Sequence, residues 1–211
     1  MKSTLKILVL SGIISLVASS MGRGQGKVLL QVPTAEQEAA LIWQSINDIA
    51  FFDAHGYQLS LPQGALIDSL LALSRQQLLE ERHRIALTRY VATQVYNADD
   101  YAVAAQQVQA AIPEVEAWLQ SLSEASTDWD FTLYPSYQVS LTLYGPGGGY
   151  NPDDGSVTLW TSPKGGFKLS DDANSVLLHE LVHLGIEASL VQHYQLSHRD
   201  KEYLVDAIVY Y

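Results

Sequence analysis

The sequence predicts an α+β protein, in which a helical N-terminal portion packs on a small antiparallel sheet that is followed by two more helices. Three observations lead to this prediction. Apolar residues recur at helical spacing from Thr34 to Leu122. A strand-like alternation of apolar and polar residues replaces that spacing from about Trp129. Two further apolar, helix-like stretches then occupy residues 170–211.

The first 22 residues have the layout of a secretory signal peptide. Lys2 and Lys6 form a basic start, residues 7–17 are mostly apolar, and small residues follow at positions 18–20. An uncleaved membrane anchor is the alternative, but the apolar run is shorter than the ~20 residues of a spanning helix. We therefore expect an exported protein, secreted or periplasmic, without a membrane span once residues 1–22 are removed.

Composition excludes several classes of function. The 211 residues carry 12 basic and 23 acidic side chains, a net charge of −11 that becomes −13 without Lys2 and Lys6. So acidic a chain does not favour nucleic acid as a partner, because it lacks a basic surface for the phosphate backbone. The absence of cysteine excludes disulfides, thiolate metal sites and a thiol nucleophile, so any metal must be bound by histidines and carboxylates.

Residues 23–33 are predicted to be a flexible leader, and residues 34–125 to be the helical portion. Thr34 precedes the first helix and Pro62 begins a second helical stretch. Pro113 is expected to end one helix or to start the next. The helical portion is interpreted as a scaffold for the rest of the chain, in one compact domain with it; a propeptide that blocks a cleft is the alternative.

Residues 126–211 are predicted to begin with the sheet. Alternating apolar residues predict strands near residues 131–133, 139–143 and 157–161. We expect the last of these to be an edge strand that can pair with an extended peptide. The glycine-rich residues 145–151 are predicted to form a mobile loop, which is either a lid or a plain hairpin connection.

The most informative motif is His179-Glu180-Leu181-Val182-His183, which reads H-E-x-x-H. It follows the helix-capping residues Ser170, Asp171 and Asp172. Residues four apart lie on the same face of a helix, so both imidazoles can bind one metal ion. Glu180 is rotated away from them and can reach a water on that ion. The alternative is a pair of core histidines, which would need a partner for every buried polar atom.

A zinc site needs a third protein ligand and leaves one position for water. The downstream candidates are Glu187, His193, His198, Glu202 and Asp206. Ser197 and Asp200 form a capping box that begins the last helix. On that helix His198, Glu202 and Asp206 are spaced by four residues and so form one polar stripe. Glu187 lies a further turn along the first helix and is expected to support the site without binding the metal.

Together these motifs resemble the gluzincin, or thermolysin-like, zinc metallopeptidases. That family carries H-E-x-x-H on one helix and, on the next, a glutamate followed four residues later by an aspartate. Here Glu202 lies 19 residues after His183, and Asp206 follows it. The resemblance covers about residues 131–211 and implies a zincin-like catalytic portion. By it, His179, His183 and Glu202 would bind Zn²⁺, Glu180 would be the general base, and Asp206 would accept a hydrogen bond from His179.

The resemblance implies a peptidase that cleaves peptide or protein substrates, in a compact form of the fold. The sequence continues for nine residues after Glu202, without the downstream domain that stabilises the oxyanion in large members. We expect another residue to stabilise it, and the candidates are Tyr194, His198, Tyr203, Tyr210 or an N-terminal residue. His198 is also the alternative third ligand; the pairing with Asp206 favours Glu202. The alternative function is a noncatalytic exported binding or inhibitory protein that retains the metal site.

Overall fold

A computed structural model describes residues 26–125, 129–167 and 172–210 of the chain. These residues form helices and one sheet. The strands are β1 (Lys27–Gln31), β2 (Ser136–Thr142), β3 (Gly149–Asn151) and β4 (Ser156–Trp160). The main helices are α1 (Ala35–Asn47), α2 (Ile49–His55), α3 (Ala65–Arg75), α4 (Glu81–Tyr90), α5 (Ala102–Ala125), α6 (Ala173–Ile186) and α7 (His198–Tyr210). The predicted signal peptide, residues 1–22, lies outside the described residues. Within the described ranges, no helix has the length and apolar character needed to cross a membrane.

The sheet corrects the predicted strand directions. Its order among the described residues is β1-β2-β4-β3, with β1, β2 and β4 parallel and only β3 antiparallel to its neighbour. The predicted small antiparallel sheet is therefore wrong, although the combination of helices with a small sheet is confirmed. Parallel neighbours require a long crossover. Here helices α1 to α5 form the crossover between β1 and β2.

The prediction of a flexible leader at residues 23–33 is wrong, because β1 occupies Lys27–Gln31 and pairs with β2. Val28 points into the core, and its N–H donates to a Glu116 carboxylate oxygen on α5 at 2.9 Å. Lys27 forms an ion pair with the same carboxylate at 3.0 Å. The strand was missed because it is short and its partner lies more than 100 residues further along the chain.

Helix α5 runs from Ala102 to Ala125 without a break, whereas Pro113 was expected to divide it. A proline inside a helix costs about 3 kcal/mol. The buried residues on both sides of it offset this cost, because they keep the helical period and pack into one cluster: Val108, Ile112, Val115 and Leu119. That cluster also contains the sheet, α6 and Val205 of α7, so α5 packs with the C-terminal elements. A second apolar cluster joins α1, α3 and α4.

Two segments near the sheet differ from the predicted pattern. Residues 131–133 are not a strand; the Thr132 N–H instead donates to the Gly185 carbonyl at the end of α6, at 2.8 Å. Part of the predicted loop, Gly149–Asn151, is strand β3 at the end of the sheet. The predicted edge strand at residues 157–161 falls on β4, which is flanked by β2 and β3. Backbone pairing to β4 decides the position of β3, and this pairing cannot be recognised from the side-chain pattern.

A fully buried carboxylate attaches the helical portion to the sheet. Glu38 of α1 accepts hydrogen bonds from the Leu143 N–H at 3.0 Å, the Thr142 hydroxyl at 2.8 Å and the Tyr101 hydroxyl. Glu38 as a whole is 0% exposed. Helical periodicity could have placed Glu38 on the buried face of α1, because it lies four residues before the buried Ile42.

We expect Glu38→Ala to lower the free energy of unfolding by about 3 kcal/mol or more, because it leaves the buried Tyr101 hydroxyl and the Leu143 N–H without an acceptor and removes one of two acceptors of the Thr142 hydroxyl. Urea denaturation followed by circular dichroism measures this. The control is Glu36→Ala on the same helix, where the side chain is exposed and the expected loss is about 1 kcal/mol or less. Equal losses in the two variants would show that the hydrogen bonds of Glu38 do not stabilise the fold.

Candidate metal centre

Helix α6 carries the H-E-x-x-H motif through the core of the protein. The Asp172 side chain caps its start by accepting from the N–H groups of Asn174 and Ser175. The predicted capping residues Ser170 and Asp171 lie outside the described residues. The helix packs on α5, α7, β3 and β4, and its residues are buried on nearly all sides. His179, Glu180 and His183 are 7%, 6% and 2% exposed, so these polar side chains occupy an otherwise apolar interior.

Helix α7 brings the second part of the centre against α6. The predicted cap is confirmed, since the Asp200 N–H donates to the Ser197 hydroxyl oxygen at 3.2 Å. Apolar residues, including the buried Val205, hold the helix on the core. The polar stripe lies on the other face of this helix and places Glu202 next to the two histidines.

Three ligand-type atoms converge between the helices. The Nε2 atoms of His179 and His183 lie 3.1 Å apart, and each is 3.4 Å from Oε2 of Glu202. Among the described residues, these side chains form a group of histidines and an acidic residue that could hold a metal ion. The sequence analysis predicted these three residues as ligands, and the structure places them together.

The spacing of the three atoms fits zinc. In a tetrahedral site with bonds of about 2.0–2.1 Å, ligand atoms lie about 3.3–3.4 Å apart. The observed separations of 3.1 and 3.4 Å are close to that value. Burial, and then the neighbouring His179, lower the pKa of His183 to about 3. A neutral imidazole is the form that binds a metal.

The remaining predicted residues lie around this group. Asp206 Oδ1 is 3.3 Å from Nδ1 of His179, the position expected for a residue that orients a ligand. His198 is not among the converging residues: its Nδ1 lies 3.5 Å from the other Glu202 oxygen, and its side chain is 72% exposed. His193 is exposed and makes an edge-to-face contact with Tyr194.

Glu180 lies beside the group, on the wall of the same cleft. Burial, and then the Glu202 carboxylate, raise the pKa of Glu180 to about 7. The loop before β3 closes on it: a Cβ placed on Gly148 would lie 2.8 Å from Oε1 of Glu180. Glycine at this position therefore lets the backbone approach the carboxylate.

Tyr150 of β3 covers one of the histidines, a contact that sequence analysis missed. Its ring stacks on His183, with centroids 4.8 Å apart and planes 6° from parallel. Its hydroxyl donates to Glu187 at 2.8 Å and accepts from the Lys201 ammonium at 3.0 Å. Among the described residues, no hydrogen-bond partner lies beside the buried Nδ1 of His183. The stacked ring therefore helps to fix the orientation of this imidazole on its Nδ1 side, where no hydrogen bond does so, and Glu187 holds the Tyr150 hydroxyl.

The centre opens into a cleft of about 380 Å³. Its lining combines the two histidines and Glu180 of the motif, His198, Lys201 and Glu202 of α7, residues 146–150, and Phe51, Phe52 and Tyr57. Of the oxyanion-stabilising candidates, His198 lines the cleft, whereas the described lining includes none of Tyr194, Tyr203 and Tyr210. These three tyrosines are at least 54% exposed. Lys201 was not predicted, and it brings an ammonium group to the cleft.

Comparisons of the chain with protein-family models, with curated proteins and with solved structures found no match. The interpretation of this centre therefore rests on its residues and their geometry.

We expect the full chain, after treatment with a chelator, to bind one Zn²⁺ ion in isothermal titration calorimetry. Glu202→Ala should weaken binding by at least about 10-fold, and Asp206→Asn by about 10- to 100-fold, because they remove a ligand and the group that orients a ligand. The control, His198→Ala, should leave the affinity within about 3-fold, since that side chain lies outside the converging group. A larger loss in His198→Ala than in Glu202→Ala would identify His198 as the third ligand.

Proposed function

We propose that this protein is an exported, zinc-dependent metallopeptidase of the gluzincin type, with a zincin-like arrangement of α6, α7 and the sheet. His179, His183 and Glu202 would hold the zinc ion, and Glu180 would act as the general base. The observation that carries the proposal is the triangle of two imidazole nitrogens and one carboxylate oxygen, with sides of 3.1, 3.4 and 3.4 Å, beside a second carboxylate.

The separate position of Glu180 supports catalysis in addition to metal binding. Glu180 lines the cleft but is not part of the converging group. A purely structural zinc site has four protein ligands, whereas three ligands leave a position open to the cleft. The described residues supply three, and the cleft lies next to them.

Each group would then have a defined task. When bound, the zinc ion supplies a Lewis acid that polarises a carbonyl and brings the pKa of a water towards neutrality. Glu180 accepts a proton from the attacking water at its carboxylate and later donates it to the nitrogen of the leaving amine. Asp206 keeps His179 oriented. Lys201 and His198 line the cleft and offer N–H donors for the negative charge that develops on the carbonyl oxygen.

Strand β3 offers a place for the backbone of a peptide. It lies at the end of the sheet order among the described residues and pairs with β4 along one side. Gly149 and Tyr150 of this strand also line the cleft. An extended peptide can add to such an edge through backbone hydrogen bonds. In this proposal β3 replaces residues 157–161 as the peptide-binding strand.

We expect the zinc-loaded chain to hydrolyse peptides, and Glu180→Gln to lower kcat by about 10²–10⁴-fold, because the variant cannot accept the proton. Mass spectrometry of a mixed peptide library, with and without chelator, measures the activity. Zinc affinity should remain within about 3-fold of the wild-type value. The matched control is Glu36→Gln, the same change at an exposed residue of α1.

Two results would contradict the proposal. The first is hydrolysis that continues in Glu180→Gln or in the presence of chelator. The second is a zinc-loaded wild type that cleaves no peptide, which would favour the noncatalytic binding or inhibitory protein.

A further inference from the structure

Three aromatic side chains line the cleft together with the metal-binding group. They are Phe51 and Phe52 of α2 and Tyr57 of the turn that follows, and we call them the aromatic wall. Their rings contact one another, with centroids 5.5 Å apart for Phe51 and Phe52 and 5.9 Å for Phe52 and Tyr57. The wall lines the same cleft as His179, Glu180 and Glu202, although it comes from the distant helical portion of the chain.

The fold holds these rings in place. Gly56 ends α2 with a φ of +71°, a left-handed conformation that favours glycine. The chain then reverses, and the Tyr57 N–H donates to the Phe52 carbonyl at 3.0 Å. An ion pair of 2.8 Å between Asp53 and Arg75 ties α2 to α3. The wall is therefore arranged before any ligand binds.

Folding leaves much of this apolar surface in water. Phe51 is 53% exposed and Tyr57 47% exposed, although each has an aromatic neighbour. Burial of a large apolar side chain against another apolar surface stabilises a protein or complex. An apolar surface in a concave site, opposite convergent polar groups, is the usual arrangement of a ligand-binding pocket. A ligand in the cleft that covers the aromatic wall would therefore gain binding free energy from the burial of this surface.

We propose that the aromatic wall is a specificity subsite that binds a large apolar side chain of an extended peptide, close to the bond that is cleaved. This inference rests on the proposed peptidase function. The cleft, at about 380 Å³, has room for side chains and not for a folded domain. Strand β3, whose Gly149 and Tyr150 line the same cleft, would pair with the peptide backbone while the wall contacts a side chain.

The first test measures cleavage of two capped heptapeptides that differ only in a central Phe or Ala. The zinc-loaded wild type should cleave the Phe peptide with a kcat/KM at least about 10-fold higher, which is the discrimination that an apolar pocket provides. Phe51→Ala and Tyr57→Ala should reduce this ratio to about 3-fold or less. The control is Leu78→Ala, since Leu78 is similarly exposed, at 52%, but lies outside the cleft lining.

The second test separates this inference from the proposed function. Calorimetry measures binding of the same two peptides to the zinc-loaded Glu180→Gln variant, with and without Phe51→Ala. We expect tighter binding of the Phe peptide, and loss of that difference when Phe51 is replaced. A wild type that cleaves no peptide of the mixed library overturns the peptidase proposal, and the binding of the two heptapeptides then decides the subsite on its own. Equal binding of both peptides, or a preference that survives Phe51→Ala and Tyr57→Ala, would overturn the subsite.

Discussion

The packing of α7 against α6 is the constraint on which the rest of the centre depends. It brings a Glu202 oxygen to within 3.4 Å of two imidazole nitrogens that are themselves nearly inaccessible to water. Polar groups in such an interior are costly unless each finds a partner. A shared cation would satisfy all three atoms at once, and the Glu202 carboxylate would neutralise part of its charge. The polar residues of α6 are therefore best explained together with the ion that they would bind.

Several local features keep α6 and α7 in the required positions. Asp172 and Ser197 cap the two helices. At the other end of α6, Gly185 packs so closely on Phe131 that an added Cβ would lie 2.1 Å from the ring. Tyr150 then covers His183 from the sheet side. The sheet, the helices and the loop before β3 thus fix the same small group of side chains.

The helical portion contributes to both the sheet and the cleft. Strand β1 precedes it and pairs with β2, while Glu38 attaches α1 to the end of β2 with two hydrogen bonds. Helix α2 supplies the aromatic wall. This shared core supports the interpretation of residues 34–125 as a scaffold and disfavours a propeptide that is released, because release would expose the buried Glu38 and its donors.

The sequence predicted the candidate centre better than the sheet. The spacing of His179, His183, Glu202 and Asp206 is a property of two helices, and helical periodicity places such residues in space directly. Strand pairing depends instead on partners far apart in the chain, so β1 and the parallel order could not be predicted. The glycines at positions 147–149 favoured the prediction of a loop, so β3 was not predicted. The contact of Tyr150 with His183 was missed for the same reason. The burial of Glu38 was not predicted, because its hydrogen-bond partners Thr142 and Tyr101 are distant in sequence.

X-ray absorption at the zinc edge tests the central claim most directly, because it reports the atoms around the ion independently of any reaction. For the zinc-loaded protein we predict nitrogen and oxygen ligands at about 2.0–2.2 Å with outer scattering from two imidazoles. In His183→Ala the scattering should correspond to one imidazole. A spectrum without imidazole scattering, or one that is the same in both proteins, would contradict the account.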